Sequence, residues 1–347
     1  MFKKRQKIKY KMPLKRRIIR SLCLVYIFGF SAFLMLFYGP FDSFKEFWIT
    51  SAMTTMNHKY LATCIYSDEY IQRVLQDNKV IEVDEITNPD EIQFRKYTTT
   101  IYRNQYEKAI LQKDEGNDLY KVINISGKGY QGFLVAIYDP SRIHIATTKY
   151  LGVTGETILA VSERENAIIA MNASGFYDPD WNSNGALPHG TVFSNGEIVS
   201  DYVDANVGGG FIGFTNENKF VLGSMSKYEA KQMGMRDAVE FGPFLIINGK
   251  RSFVRGNGGW GIAPRTAIGQ RKDGIVLFLV VNGRLANSIG ADMIDLCDIM
   301  ENYGAYNAAN LDGGSSSELV IKGQIINTPV AGGSNGLRTM PTFWVVK

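Results

Sequence analysis

The residues best suited to chemistry lie in one run, 305–317, AYNAANLDGGSSS, where small and apolar side chains give way to an acid, two glycines and three hydroxyls. Ala308, Ala309 and Leu311 suit a packed strand, Gly313 and Gly314 permit the left-handed backbone of a sharp turn, and Asp312 is left at the strand's mouth. Such a turn offers backbone N–H groups and the hydroxyls of Ser315 and Ser316 to phosphate or sugar oxygens, with Asp312 as the carboxylate. A plain strand-to-strand turn capped by Asp312 accounts for the same letters, and both readings stand at this level. A second strand-like run, AIIAM, ends in the same way at Asn172, Ala173, Ser174, Gly175 and Phe176. Asp178 and Asp180 follow as further candidate acids, and Arg265, Arg284 and Arg338 fall at the ends of predicted elements, where a guanidinium suits bidentate binding of phosphate. Taken singly, each is a turn residue or a surface ion-pair partner.

Other chemistries find no support. His58, His144 and His189 are scattered, no Cys/His pair has ligand spacing, and no metal or cofactor site is expected, with a divalent-cation requirement left open. There is no G-x-S-x-G or S-x-x-K, and the serines after Asp312 have no base beside them in sequence, which argues against a serine hydrolase. Cys64 and Cys297 are too few for a disulfide scaffold; a single bridge between them stays open.

The elements that must position these residues begin beyond an N-terminal segment of different character. Ten of the 38 Lys/Arg and none of the 34 Asp/Glu lie in residues 1–20, so the remainder is net acidic and the basic pI belongs to the tail. That excludes the nucleic-acid reading the whole-chain charge of +4 would suggest. Residues 21–41 carry no charge and are long enough to span a bilayer. The cationic tail before them places residues 1–20 in the cytoplasm and the rest outside, as a single-pass cell-membrane protein. A retained anchor is favoured over a cleaved signal peptide, because the apolar run is long and no small-residue cleavage site follows it. Residues 42–118 read as a partly helical stalk, with one amphipathic helix around residues 68–76, or as the first layer of the domain.

From residue 119 onward, period-2 and apolar runs alternate with turn signals. Asn195-Gly196, Asn248-Gly249 and Lys322-Gly323 mark hairpins, and Lys272-Asp273-Gly274 separates two strands that carry Arg265 and Arg284 at their outer ends. Ser226 and Glu229 have capping-box spacing, and Ser288 is expected to cap a helix burying Met293, Leu296, Cys297 and Met300 and ending before Gly304. Intermixed strands, hairpins and helices predict an α+β single domain over residues 119–347, with a large mixed sheet and packed helices.

Five segments in this order, NASGFYDPD, GTVFSNGEIV, FGPFLIINGK, PRTAIG and NAANLDGGSSS, resemble the phosphodiester glycosidase family over residues 119–347. The anchor and stalk are similar to those of bacterial members described as exopolysaccharide biosynthesis proteins. The family pattern N-G-G-F is replaced by Asn172-Ala173-Ser174-Gly175-Phe176, and D-G-G-G-S by Asp312-Gly313-Gly314-Ser315-Ser316. The resemblance implies hydrolysis of a sugar-1-phosphodiester at the anomeric carbon, in exopolysaccharide or cell-wall glycan metabolism. On that reading Asp312 is base or nucleophile, Asn172 positions, and Arg265 stabilises charge on the phosphate. Asn310, Gly313, Gly314, Ser315, Ser316, Gly175, Phe176, Arg284 and Arg338 bind substrate. The contrasting reading is a membrane-tethered glycan-binding or assembly protein without catalysis; a third is a phosphodiesterase that cuts the P–O bond.

Overall fold

The computed structural model describes residues 13–55, 58–95, 101–177, 183–202, 209–331 and 336–347. Eight α-helices occur among them: α1 (Leu14–Tyr38), α2 (Asp42–Met53), α3 (Tyr60–Thr63), α4 (Asp68–Asp77), α5 (Gln105–Leu111), α6 (Ile158–Arg164), α7 (Lys227–Gln232) and α8 (Met293–Asn302). Three sheets form the body. The largest has seven strands, in the order Lys250–Arg251, Phe244–Ile247, Ala305–Leu311, Arg265–Arg271, Val276–Val281, Tyr130–Ile137 and Tyr120–Gly127. One five-stranded sheet runs Gln324–Ile325, Leu319–Ile321, Ile169–Asn172, Thr342–Val346 and Ile143–Thr147. The other runs Phe220–Gly223, Gly210–Thr215, Met235–Phe241, Gly190–Ser194 and Glu197–Tyr202.

The α+β single-domain architecture is as expected, but the strands divide among several sheets instead of one large mixed sheet. Every pairing among the described residues is antiparallel. Tight turns supply the hairpins, as at Asn195 (φ 52°) and Gly196 (φ 81°), and longer connections also return the chain antiparallel, as where Ala305–Leu311 lies beside Arg265–Arg271. Side chains from all three sheets meet in one core, where Trp344 lies edge-on to Phe214 at 5.6 Å and packs in the same cluster as Phe278 and Leu311. Helix α8 buries Met293, Leu296, Cys297 and Met300, the face its sequence marks, in a cluster with Ala267, Leu279 and Ala308.

One sequence expectation is corrected and one open alternative is closed. Asp292, not Ser288, caps α8, forming a capping box with Asp295; Ser288 Oγ instead donates to the Asn282 carbonyl at 2.7 Å. No Cys64–Cys297 bridge exists: Cys64 is exposed and Cys297 is a buried free thiol, whose pKa burial pushes up to about 11.

Helix α1 has 25 residues, is long and apolar enough to cross a membrane, and is almost wholly unburied. Much of the segment that follows it lies against the domain. Helices α2–α4 make a small core of Ile49, Ala52, Ala62, Ile71 and Val74, Lys79–Ile81 pairs antiparallel with Phe253–Arg255, and Ile110 of α5 is buried in the cluster under α8.

Candidate active site at the Asp312 turn

Antiparallel register brings the chemistry together. Strand Ala305–Leu311 ends where Arg265–Arg271 begins, with Leu311 opposite Thr266; Arg265 is in turn opposite Val281, the last residue before the Arg284 loop. Asp312, Arg265 and Arg284 therefore share one sheet edge although they come from three strands. The chain then leaves the seven-stranded sheet through residues 312–318 and enters the five-stranded one at Leu319, beside the end of Ile169–Asn172. Strand Thr342–Val346 pairs with that strand, Phe343 opposite Asn172, so the preceding Arg338 arrives at the same place.

Three guanidinium groups converge on the turn. A Cβ placed on Gly313 would stand 3.7 Å from Arg265 Nη1, and one on Gly314 would stand 3.3 Å from Arg284 Nη2. Arg338 Nη1 donates to Ser315 Oγ at 3.0 Å, and its guanidinium lies 4.5 Å from the centroid of the Phe176 ring. The glycines thus leave room that a side chain would fill, and Gly314 adopts φ +62°. Its N–H donates to the Pro264 carbonyl at 2.8 Å, fixing the turn against the Arg265 strand. Asp312 is half-buried, and its Oδ1 accepts from Gly313 N at 3.0 Å.

The arginines differ in how they are held. Arg265 is buried, with Nε donating to the Ala291 carbonyl at 3.1 Å and Nη2 to the Trp260 and Gly261 carbonyls. Burial lowers its pKa to about 10, Asp292 opposing and Arg284 reinforcing the shift, so it stays cationic at neutral pH. Partial enclosure also lowers the pKa of Arg284, and the like charge of Arg338 acts in the same direction. Arg284 sits at φ +58°, a strained backbone for a non-glycine residue. The N–H groups of Gly313 and Gly314 are taken by Asp312 Oδ1 and the Pro264 carbonyl, so it is the three like charges gathered on the turn that make an anion site.

Asn172 and Asn310 act on the scaffold of this turn. Asn172 Nδ2 donates to the Asp312 carbonyl at 2.6 Å, while Oδ1 accepts from Thr266 Oγ1 at 2.9 Å and Glu318 N at 3.2 Å. Asn310 is fully buried and its Nδ2 donates to the Gly242 carbonyl at 3.0 Å. Ser316 is enclosed as well, whereas Ser315 is half-exposed. Gly175 is packed against the Phe241 ring, 2.8 Å from the position of a Cβ, and Phe176 forms a bridge with Pro188 beneath Arg338. Asp178 and Asp180 lie outside the described residues. His189, which sequence left without a role, places its ring beside Gly175, Cδ2 standing 3.6 Å from a Cβ position there.

Glu318 is the residue the sequence reading missed. It is fully buried behind the turn, and its Oε1 accepts from Arg338 N at 2.9 Å, while Oε2 has no hydrogen-bond partner among the described residues. Burial pushes its pKa up to about 8, against the opposing pull of the Arg338 N–H and guanidinium charge. In SSSELV it reads as an ordinary start of a strand, and only tertiary packing encloses it.

Among the described residues no group of His, Cys, Asp and Glu has a metal-binding arrangement. A cavity of about 290 Å³, lined in part by His144, Arg164 and Lys347, shares no residue with the arginine turn.

Known proteins share the sequence and fold of this chain in part. An uncharacterised prophage-derived protein of Bacillus subtilis strain 168, YomE, is 28% identical over 278 residues, covering 75% of this chain and 38% of that protein. The chain therefore spans well under half the length of this curated relative. The catalytic domain of zebrafish N-acetylglucosamine-1-phosphodiester alpha-N-acetylglucosaminidase, auto-inhibited by its pro-peptide, superposes with a TM-score of 0.52 at 18% identity. The match covers 67% of this chain and 85% of that one, and it shows a shared fold. Residues 165–347, more than half of the chain and the whole of the arginine-flanked turn, match the family model of the phosphodiester glycosidases, and to that family the protein belongs.

Proposed function

We propose that the protein is a membrane-anchored hydrolase that cleaves a sugar-1-phosphodiester at the anomeric carbon. The observation that carries this reading is the convergence of Arg265, Arg284 and Arg338 on Gly313, Gly314 and Ser315, next to the half-buried carboxylate of Asp312. The substrate class is taken from the family and from the zebrafish protein, which is named for an N-acetylglucosamine-1-phosphodiester.

The phosphodiester seats its anionic oxygens among the guanidinium groups of Arg265, Arg284 and Arg338. The glycosidic C–O bond then breaks and its electron pair leaves with the phosphate, which becomes a monoester. Charge gathers on phosphate oxygens that are already among cations, so strong general-acid help is unnecessary. This suits a site whose buried acid, Glu318, is enclosed away from solvent. Water supplies the new bond to the sugar: either Asp312 takes the proton of the attacking water, or Asp312 attacks first and water releases the sugar in a second step. In this reading the uncharged part of α1, from Ser21 onward, spans the membrane with residues 1–20 in the cytoplasm, the domain faces outward, and the substrates are exopolysaccharide or cell-wall glycans.

The test is turnover by the purified full chain in detergent on a panel of sugar-1-phosphodiesters and teichoic-type polymers, with Asp312→Asn alongside. Turnover that Asp312→Asn abolishes, with the oxygen of ¹⁸O-water entering the sugar, supports the reading. Label in the phosphate instead means P–O cleavage. Glycan binding that survives Asp312→Asn in a chain with no turnover means a binding or assembly protein.

A further inference from the structure

The helices next to the membrane span are connected to Arg265 by a glycine-rich loop, residues 255–261. The carbonyls of Trp260 and Gly261 hold the Arg265 guanidinium, the second at 2.6 Å, and the cation lies 6.0 Å from the Trp260 ring centroid. That loop is clasped from outside the domain. Asn257 N donates to Asn78 Oδ1 at 3.0 Å, and Asn257 Nδ2 donates to Thr50 Oγ1 at 2.8 Å.

The fit leaves no space for side chains at two points of close approach. A Cβ on Gly261 would stand 2.5 Å from Ser51 Oγ, and one on Gly259 would collide with the carbonyl oxygen of Asn78. Both glycines hold positive φ, +58° and +78°. A loop with four glycines in seven residues has much conformational freedom to lose. Two carbonyls can hold a buried cation in a fixed place only if something else fixes the loop. On their other side, the same helices are fastened to α1: Trp48 lies edge-on to Phe37 at 4.9 Å, and Tyr66 donates its hydroxyl hydrogen to the Phe37 carbonyl at 3.0 Å.

We propose that helices α2–α4 are a positioning element for Arg265, with Thr50, Asn78 and Asn257 acting through the loop 255–261, so that the segment joining membrane helix to domain is part of the working site. None of these three residues meets the substrate; they set where the guanidinium stands relative to Gly313. The proposal rests on the assignment of Arg265 to the phosphate in the proposed reaction.

The experiment is a double-mutant cycle on the full chain in detergent micelles, with Asn257→Ala, Arg265→Lys and the pair. Asn257→Ala is expected to lower kcat on the order of tenfold, since a displaced catalytic group is costly even at sub-ångström scale. It should cause no further loss in the Arg265→Lys background. Thr50→Val, which cuts the same hydrogen bond from the helix side with little change of volume, should repeat the effect and covers the case in which Asn257→Ala folds poorly. Independently of turnover, exchange of the Arg265 Nη–H protons with solvent, followed by NMR, should accelerate in Asn257→Ala or Thr50→Val, since Nη2 is the atom the loop carbonyls hold. Additive losses in the cycle, or unchanged exchange in both folded variants, overturn the proposal. Accelerated exchange in a chain that hydrolyses nothing retires the hydrolase reading alone and leaves the clasp standing.

Discussion

Asn172 donates its side-chain amide to the main-chain carbonyl of Asp312 at 2.6 Å, and Asp312 N returns a bond to the Ala173 carbonyl at 3.2 Å. Two sheets are thereby locked at the ends of their strands, with the candidate carboxylate at the lock. Asn172→Asp keeps size but replaces the donor with a carboxylate facing a carbonyl oxygen. It should destabilise the chain by about 1–3 kcal/mol, the usual cost of an unsatisfied buried partner, and lower kcat/KM more than Tm alone explains. Thermal unfolding and kinetics on the same preparation check this; normal kcat/KM in the folded variant would contradict it.

Glu318 makes stability pH-dependent in the direction opposite to an ion-paired acid. Its pKa is pushed up to about 8 in the folded chain from an ordinary 4.5, so the folded state holds the proton between those values and the unfolded state does not. Stability should therefore be greatest at the acid end of that window and fall as pH rises to about 8. The loss is up to roughly 5 kcal/mol from the pKa difference. Glu318→Gln keeps an oxygen acceptor for Arg338 N and cannot ionise. Denaturant midpoints of this variant should be flat over the window where the parent declines.

The sequence and the structure agree most closely where a local rule decides the outcome. The hairpin at Lys322 (φ 50°) and Gly323 (φ 75°), the Ser226–Glu229 capping box and the buried face of α8 all follow from residues within one turn of each other. The two strand ends bearing Asn172 and Asp312 were legible because small polar residues follow apolar runs. Their meeting was not, because register between strands 140 residues apart in sequence carries no local mark. Glu318 and the 255–261 clasp are of this second kind: burial of the one and contact of the other with Thr50 and Asn78 arise only when distant elements pack. Ser288 shows the converse, a good cap residue outcompeted by Asp292, which is the one placed to reach the third helical N–H.

Arg338 is the most exposed to change of the groups around Ser315, since its guanidinium combines a hydrogen bond to Ser315 Oγ with stacking on Phe176. Lysine cannot reproduce the planar fork or the stacking. Arg338→Lys should raise KM on the order of tenfold, about 1.4 kcal/mol, with little loss of stability. Inorganic phosphate should raise the parent's Tm by relieving repulsion among the three cations, with a smaller rise in the variant. Equal phosphate-induced shifts in the two proteins would remove Arg338 from the anion site.

The strand Arg265–Arg271 has a buried arginine at each end, and their partners differ. Arg271 is neutralised by Asp273, with Nη2 to Oδ2 at 2.7 Å, and its Nη1 donates to the Tyr303 carbonyl at 2.8 Å. Arg265 is held by the carbonyls of Trp260, Gly261 and Ala291. A buried cation whose partner is removed is strongly destabilising, so Asp273→Ala should cost about 3–5 kcal/mol while leaving kcat unchanged at temperatures where the variant is folded. Arg265→Lys should do the reverse, losing turnover for a smaller loss of stability, because its charge is kept for the anion and not spent on a carboxylate. Urea unfolding and kcat measured on both variants decide the matter; a matching loss of activity in Asp273→Ala would make the two ends equivalent and remove this distinction.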